Sequence, residues 1–206
     1  MHKLRLHYFD FHGGRGEVAR LTMALGDIPF DDHRIPFSEW PSARDSMPLR
    51  AVPVLEVDGE PITQSNSMNR FLGRLAGLYP EDPLEALHCD EVMDAVEDVI
   101  TRVVATFFIE DEAEKKAARE EFADGPLTLY LTRLEEILAG RGGEYFADSR
   151  LTIADLKVFV WIRGLRSGTL DYIPADLSDR LAPQLVDHMH RISTLPGIVA
   201  YYESHQ

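Results

Sequence analysis

Tyr8 closes a short alternating stretch and stands just ahead of Gly13-Gly14 and Arg15. A phenol at a strand end, before a glycine-rich turn into a helix, is placed to donate a hydrogen bond, and a neighbouring guanidinium adds positive charge. A second cluster follows at Val52-Pro53, which opens the run Val54-Leu55-Glu56-Val57. Proline at a strand's first residue removes an N–H that the ladder needs least, and a cis bond there would turn the N–H and C=O of Val52 outward. Main chain exposed in this way pairs with an extended peptide. Gln64-Ser65 directly precede a helical pattern, and a helix start with a serine cap is a carboxylate site. One sheet edge thus offers backbone for a peptide, and the next turn offers a place for its carboxyl group.

The other reactive side chains read more simply. Cys89 is the only cysteine, which excludes an intrachain disulfide and a C-x-x-C redox dithiol. It reads as a small helix residue and not as a catalytic thiol. Asp94, Glu97 and Asp98 share one helix face at i, i+3, i+4, which is by default a solvated acidic face. His188 and His190 are two apart on a helix and point to different faces, so they are not a metal pair.

Taken in order, Tyr8-Phe9, Arg15-Gly16-Glu17, Asp32-His33-Arg34-Ile35, Trp40-Pro41, the block from Val52 to Gly59, Gln64-Ser65, the acidic run Asp94–Asp98 and Thr152-Ile153-Ala154-Asp155 resemble the glutathione transferases, nearest to the sigma class. The resemblance runs nearly end to end. It implies a tyrosine, Tyr8, that activates the glutathione sulfur, with the Arg15 guanidinium beside it. A free thiol with pKa near ~8.5 is mostly protonated at neutral pH. One hydrogen bond to the anion, worth roughly 1.5–3 kcal/mol, lowers that pKa by about one to two units. The resemblance also implies that Trp40 and Arg44 bind the glycine carboxylate. Val52 would pair with the cysteinyl unit main chain to main chain, Ala51 beside it is also expected to bind glutathione, and Gln64 and Ser65 would hold the γ-glutamyl carboxylate. Asp98 would reach the γ-glutamyl ammonium across a dimer interface. Asp94, Glu97 and Asp98 further match a divalent-metal site of some sigma members, although no metal is expected to be required. Phe11, Arg15, Ala105 and Phe108 are the expected lining of the electrophile pocket, with Ala105 where some members carry Trp. His12 is expected on the pocket rim. The chain departs from the family pattern by one extra residue before Arg15, by Gly16 in place of Ala, and by Arg50-Ala51 in their loop.

These residues need a scaffold, and the pattern supplies one. Leu4, Leu6 and Tyr8 alternate as in a half-buried strand. Val18, Leu21, Thr22 and Leu25 follow helical spacing, closed by Gly26. Phe30 to Ile35 reads as a second strand, and Trp40 to Met47 as a short helix or turn. Asp58-Gly59 signals a hairpin, and Met68, Phe71, Leu72 and Leu75 form another apolar stripe. The order βαβ then αββα is that of a thioredoxin-like domain over 1–79. Prolines at 80 and 83 mark a linker over 80–85, and 86–206 read as an all-helical bundle. In that bundle Val92, Ala95, Val96, Val99, Val103 and Val104 share a face, and Leu127, Tyr130, Leu131, Leu134 and Leu138 share another. The densely charged segment from Glu110 to Glu121 is expected to be solvated. Thr152 and Asp155 form a capping box at the start of a central helix broken in polarity only by Lys157. Helices are also expected near Pro183–Ser193 and Gly197–Glu203.

The fold class is therefore an α/β thioredoxin-like domain followed by an all-α domain, the glutathione transferase fold. The formal charge of −14 on 206 residues argues against nucleic acid or an anionic membrane as partner. The start lacks the apolar stretch of a signal peptide, and no apolar run is long enough to cross a bilayer, so a cytoplasmic protein is expected. The reading is a homodimeric glutathione transferase joining glutathione, its co-substrate, to small hydrophobic electrophiles. Two others stay open. One is glutathione-dependent isomerisation as in the prostaglandin D synthases. The other is a non-catalytic binding or structural role, as in crystallins of the same class.

Overall fold

Alternation in the opening residues produces β1 (Leu4–Phe9), the strand around which the first unit is built. The computed structural model describes residues 2–205. β1 pairs in parallel with β2 (Phe30–Ile35), Leu6 opposite Asp32 and Tyr8 opposite Arg34. On its other side it pairs antiparallel with β3 (Val54–Val57), Leu6 opposite Leu55. β4 (Glu60–Ile62) completes the order β2-β1-β3-β4. Asp58 and Gly59 have φ of 53° and 90°, the two positive values that a two-residue hairpin of type I′ requires.

One face of this sheet is apolar. Leu4, Leu6, Tyr8 and Leu55 pack on Ala19 and Met23 of α1 (Gly14–Leu25) and on Met68 and Leu72 of α3 (Ser65–Leu75). The other face carries polar pairs that alternation predicts but does not identify. Arg5 meets Asp31 at 3.1 Å, and His7 bonds both His33 (2.7 Å) and Glu56 (2.9 Å). Between β2 and β3 lie the single turn α2 (Trp40–Ala43) and a 3₁₀ turn, Arg44–Ser46. Two local expectations change. Gly26 caps α1 with φ of −90°, and the left-handed residue is Asp27. Leu75, expected in the buried stripe of α3, is 48% exposed, because α3 ends there and its last turn overhangs the core.

The chain divides into two compact units, one holding the residues up to Tyr79 together with those from Pro196, the other Pro80–Leu195. By its contacts the C-terminal helix, named α10 (Pro196–Glu203), groups with the sheet. Gly197 permits this: a Cβ there would lie 2.5 Å from Leu25 Cδ2 of α1. The expected linker is also shorter than 80–85. Pro83 already begins α4 (Pro83–Ala105), and the Asp82 carboxylate accepts the N–H groups of Leu84 and Glu85 at 2.9 and 3.0 Å.

The second unit adds α5 (Glu112–Phe122), α6 (Thr128–Gly140), α7 (Ile153–Arg166), α8 (Leu177–Leu181) and α9 (Pro183–Ser193). α8 had no sequence signal of its own. A π turn, Ala123–Leu127, carries the chain past Pro126, which has no N–H for a regular turn. α7 is the central helix, as expected, and its start is fixed by the Thr152–Asp155 capping box. The Asp155 carboxylate also accepts the N–H of Phe146 at 3.0 Å and contacts His188 Nε2 at 3.0 Å. Two further charged residues of this unit are buried, one of them against expectation. Lys157 is fully enclosed and paired with Glu97 at 2.5 Å. Arg119, in the segment expected to be solvated, donates to Thr106 Oγ1 (3.0 Å) and to the Asp171 carbonyl (3.2 Å). No helix among the described residues is long and apolar enough to cross a membrane.

Candidate active site

The site begins where β1 hands over to α1. Tyr8 is almost fully buried, and its phenolic oxygen accepts the N–H of Arg15 at 3.0 Å, in the first turn of α1. That arrangement occupies the oxygen as an acceptor and leaves its proton to be donated. Burial pushes the Tyr8 pKa above its usual value. The N–H groups of Arg15 and Gly16, and the charges of Arg15 and Arg20, pull the other way and do not overcome burial. The phenol is thus a neutral donor throughout the physiological range.

Two glycines lie against Tyr8. Gly14 has φ of +65°, and a Cβ on it would lie 2.4 Å from Tyr8 Oη. A Cβ on Gly16 would lie 2.3 Å from Tyr8 Cγ. The tyrosine ring lies directly against the backbone of α1 at Gly16.

Behind the ring is a charged cluster that sequence reading missed. Arg20 is fully buried and donates to the carbonyls of Phe11 (3.0 Å) and Phe9 (3.1 Å) and to Asp32 (3.0 Å). Its guanidinium carbon is 5.5 Å from the Tyr8 ring centre. Glu17, also fully buried, is 3.5 Å from Arg20. The available signal was the i, i+3 pair Glu17/Arg20 on a mostly apolar helix. His12, expected on the rim, faces this cluster instead. Its Nδ1 is 3.2 Å from Glu17, its Nε2 is 3.1 Å from the His205 carbonyl, and its ring packs on Tyr201 and Tyr202.

The remaining candidates of the first unit follow along the sheet. Val52 precedes a cis bond to Pro53, lies outside both ladders, and packs against the clusters that contain Tyr8 and Ile35. Trp40 is half-buried in the second of these, edge-on to Phe9 at 5.1 Å. Arg44 and Ala51 are exposed in the intervening loop. Gln64 has φ of +73° and takes the N-cap position of α3, with Ser65 as the first helical residue. The expected serine cap is thereby corrected. The strand exits through a left-handed residue, so the chain enters the helix one residue earlier, and Ser65 is buried in its first turn.

Asp98 lies in the second unit on the exposed face of α4, where it accepts the Tyr130 hydroxyl at 3.2 Å. Among the described residues no group of three His, Cys, Asp or Glu side chains is arranged to hold a metal ion. Ala105 and Phe108 are exposed at and beyond the end of α4. Cys89 is fully enclosed, its thiol pushed up to about 12 by burial.

A four-stranded mixed sheet with a buried tyrosine at the end of an interior strand, a cis-proline before β3 and a following helix start, joined to a helical unit, defines the glutathione transferase fold class. Residues 97–205 match the family described as "Glutathione S-transferase, C-terminal domain". Glutathione S-transferase 1 of Ascaris suum is 33% identical over 96% of this chain and 94% of its own. Hematopoietic prostaglandin D synthase of Homo sapiens is 30% identical over 96% of this chain and 94% of its own. The solved structure of a prostaglandin synthase D of Nilaparvata lugens has a TM-score of 0.87 at 29% identity, covering 98% of this chain and 97% of that one. The chain belongs to the glutathione S-transferase family.

Proposed function

We propose that this protein is a sigma-like glutathione transferase in which Tyr8 holds the glutathione sulfur as a thiolate. The observation that carries the reading is the Tyr8 hydroxyl, buried, protonated and with its acceptor side taken by Arg15 N–H. A thiolate placed on its donor side gains a charge-assisted hydrogen bond, worth roughly 1.5–3 kcal/mol, and the Arg15 charge favours the same anion. The γ-glutamyl carboxylate sits at Gln64 and Ser65, where the α3 N-terminus points. The cysteinyl main chain pairs with Val52 beside Ala51, and the glycine carboxylate takes Trp40 Nε1–H and Arg44. The thiolate then attacks a small hydrophobic electrophile, with the rate gained from thiolate generation and proximity. The active form is a cytoplasmic homodimer in which Asp98 of each chain faces the partner's glutathione, and the role is detoxification.

The test is an ultraviolet difference titration of glutathione on the wild type and on Tyr8→Phe. The thiolate band is expected about one to two pH units below that of free glutathione, and Tyr8→Phe is expected to move it back. Glutathione that binds without any thiolate band removes the role given to Tyr8 and leaves a non-catalytic binding protein as the reading. Isomerisation remains the second reading, because relatives over nearly the full length carry the name prostaglandin D synthase. A panel of conjugation and isomerisation substrates separates the two.

A further inference from the structure

The sheet face turned away from α1 and α3 holds a row of ionisable groups that the proposed chemistry leaves unused. His7 on β1 stands directly opposite His33 on the edge strand β2, and their two Nδ1 atoms are 2.7 Å apart. On the other side, His7 Nε2 is 2.9 Å from a carboxylate oxygen of Glu56 on β3. His7 is buried, and His33 and Glu56 are half-buried. The charged groups around the row are Arg5 and Asp31, paired at 3.1 Å, and beyond them Lys3 and Asp58, which line one cleft together with Arg5, Asp31 and Glu56.

Donor geometry limits how many protons this row holds. A carboxylate only accepts, so His7 Nε2 carries its hydrogen toward Glu56. In the neutral pair His7 Nδ1 then accepts from His33 Nδ1–H. One added proton, on either ring, keeps that bond, because the other ring still presents an Nδ1 lone pair. Two added protons place an N–H on both facing atoms, and no hydrogen bond joins two donors. The unfolded chain has no such limit and binds both. Burial, and then the charges of His7 and Arg5, hold His33 below its usual value, while Asp31 and Glu56 pull the other way.

We propose that His7, His33 and Glu56 form a proton-limited clasp that holds the edge strand β2 to the sheet, closed with one added proton or none and opened by the second. The only sheet neighbour of β2 is β1. Next to His33, Asp32 is the acceptor for the buried Arg20 at 3.0 Å, so release of β2 reaches the cluster behind Tyr8. Below the ordinary histidine pKa of about 6.5 the unfolded chain binds more protons than the folded one. The stability that the pair contributes is therefore complete above that pH and is lost as pH falls.

The experiment follows imidazole resonances by NMR, amide exchange in β2 and β3, and urea midpoints from pH 8 to 5 in wild type, His7→Gln and His33→Gln. A glutamine amide turns either its N–H or its oxygen toward the remaining ring, so that ring protonates without losing its partner. The wild-type pair is expected to titrate in two macroscopic steps at least about one pH unit apart, and the remaining ring of each variant in one. Across the second step, exchange in β2 relative to β3 is expected to rise about threefold or more in wild type and to stay level in His33→Gln. The wild-type urea midpoint is expected to fall about twice as far on acidification as that of His33→Gln. Two wild-type rings protonating together in one step overturn the clasp, because the fold then accepts the second proton. Equal acid losses in wild type and His33→Gln also overturn it, since the loss then lies elsewhere in the fold. If a variant does not fold at pH 8, the wild-type titration decides between one step and two. No glutathione is needed, so the clasp stands or falls independently of the transferase reading.

Discussion

At the level of single residues, the tyrosine and the glycines around it are one unit. In the proposed mechanism Tyr8 donates the hydrogen bond, and the lack of a side chain on Gly16 lets its ring rest on α1. Gly16→Ala drives a methyl into the ring at a distance no side chain tolerates. It is expected to lower kcat/KM by about tenfold or more and to cost about 1–3 kcal/mol of stability. Gly164→Ala is the control. That glycine is exposed inside α7 with nothing within 4 Å of a new Cβ. The change should be neutral or stabilise by up to about 1 kcal/mol. Urea unfolding and steady-state kinetics on both variants check the contrast. Gly16→Ala behaving like Gly164→Ala would mean that the ring has room to move. Tyr8, Gln64, Val52 and Trp40 each stand at or beside an element boundary, which makes them candidates on sequence alone. Arg20 was not a candidate, because a helix arginine in sequence looks solvated until the carbonyls of Phe9 and Phe11 are seen to turn toward it.

At the level of elements, caps and glycines set where each helix begins and what it packs on. The sequence motif Thr152 to Asp155 predicted a capping box, and the box formed. Its second function came only with the fold. Asp155 also ties down the N–H of Phe146 and faces His188 of α9, all within a dry interior. Asp155→Ala therefore strips more than a cap. A loss of over about 2 kcal/mol is expected, beyond the usual ~1 kcal/mol for a capping residue. Thr152→Ala should cost less. Chemical denaturation distinguishes them, and equal losses would show that the Phe146 and His188 contacts contribute little. The pairing of Lys157 with Glu97 has the same lesson. Spacing put Lys157 on an apolar helix, and only the packing of α4 on α7 supplied its counter-charge.

Across the whole molecule, burial moves three acids in one direction. The Cys89 thiol rises from 9.0 to about 12, and the phenols of Tyr8 and Tyr201 are also raised, each chiefly by burial. A raised folded pKa favours the protonated native state. Its contribution is complete below the unfolded pKa and is lost as pH climbs through the folded one. The stability curve is thus expected to be flat in these groups from pH 7 to 8.5 and to fall from about pH 9 upward. Cys89→Ala should make the fall shallower between 9 and 12. Urea midpoints measured across that range check the sign, and an unchanged slope in Cys89→Ala would remove the cysteine from the account.

The sequence alone determined the order of elements, the hairpin at Asp58-Gly59, the proline at the head of β3 and the family to which the chain belongs. These depend on period, turn chemistry and residue identity, which are local properties. The tertiary structure decided which charges lie inside, that α10 returns to the sheet unit, and that the Tyr8 ring rests against Gly14 and Gly16. It also set His12 against Glu17 and brought Phe37 against Phe11 and Phe9. Each of these depends on residues far apart in the chain meeting at contact distance. No window of sequence contains that distance, because packing fixes it after the local elements have formed.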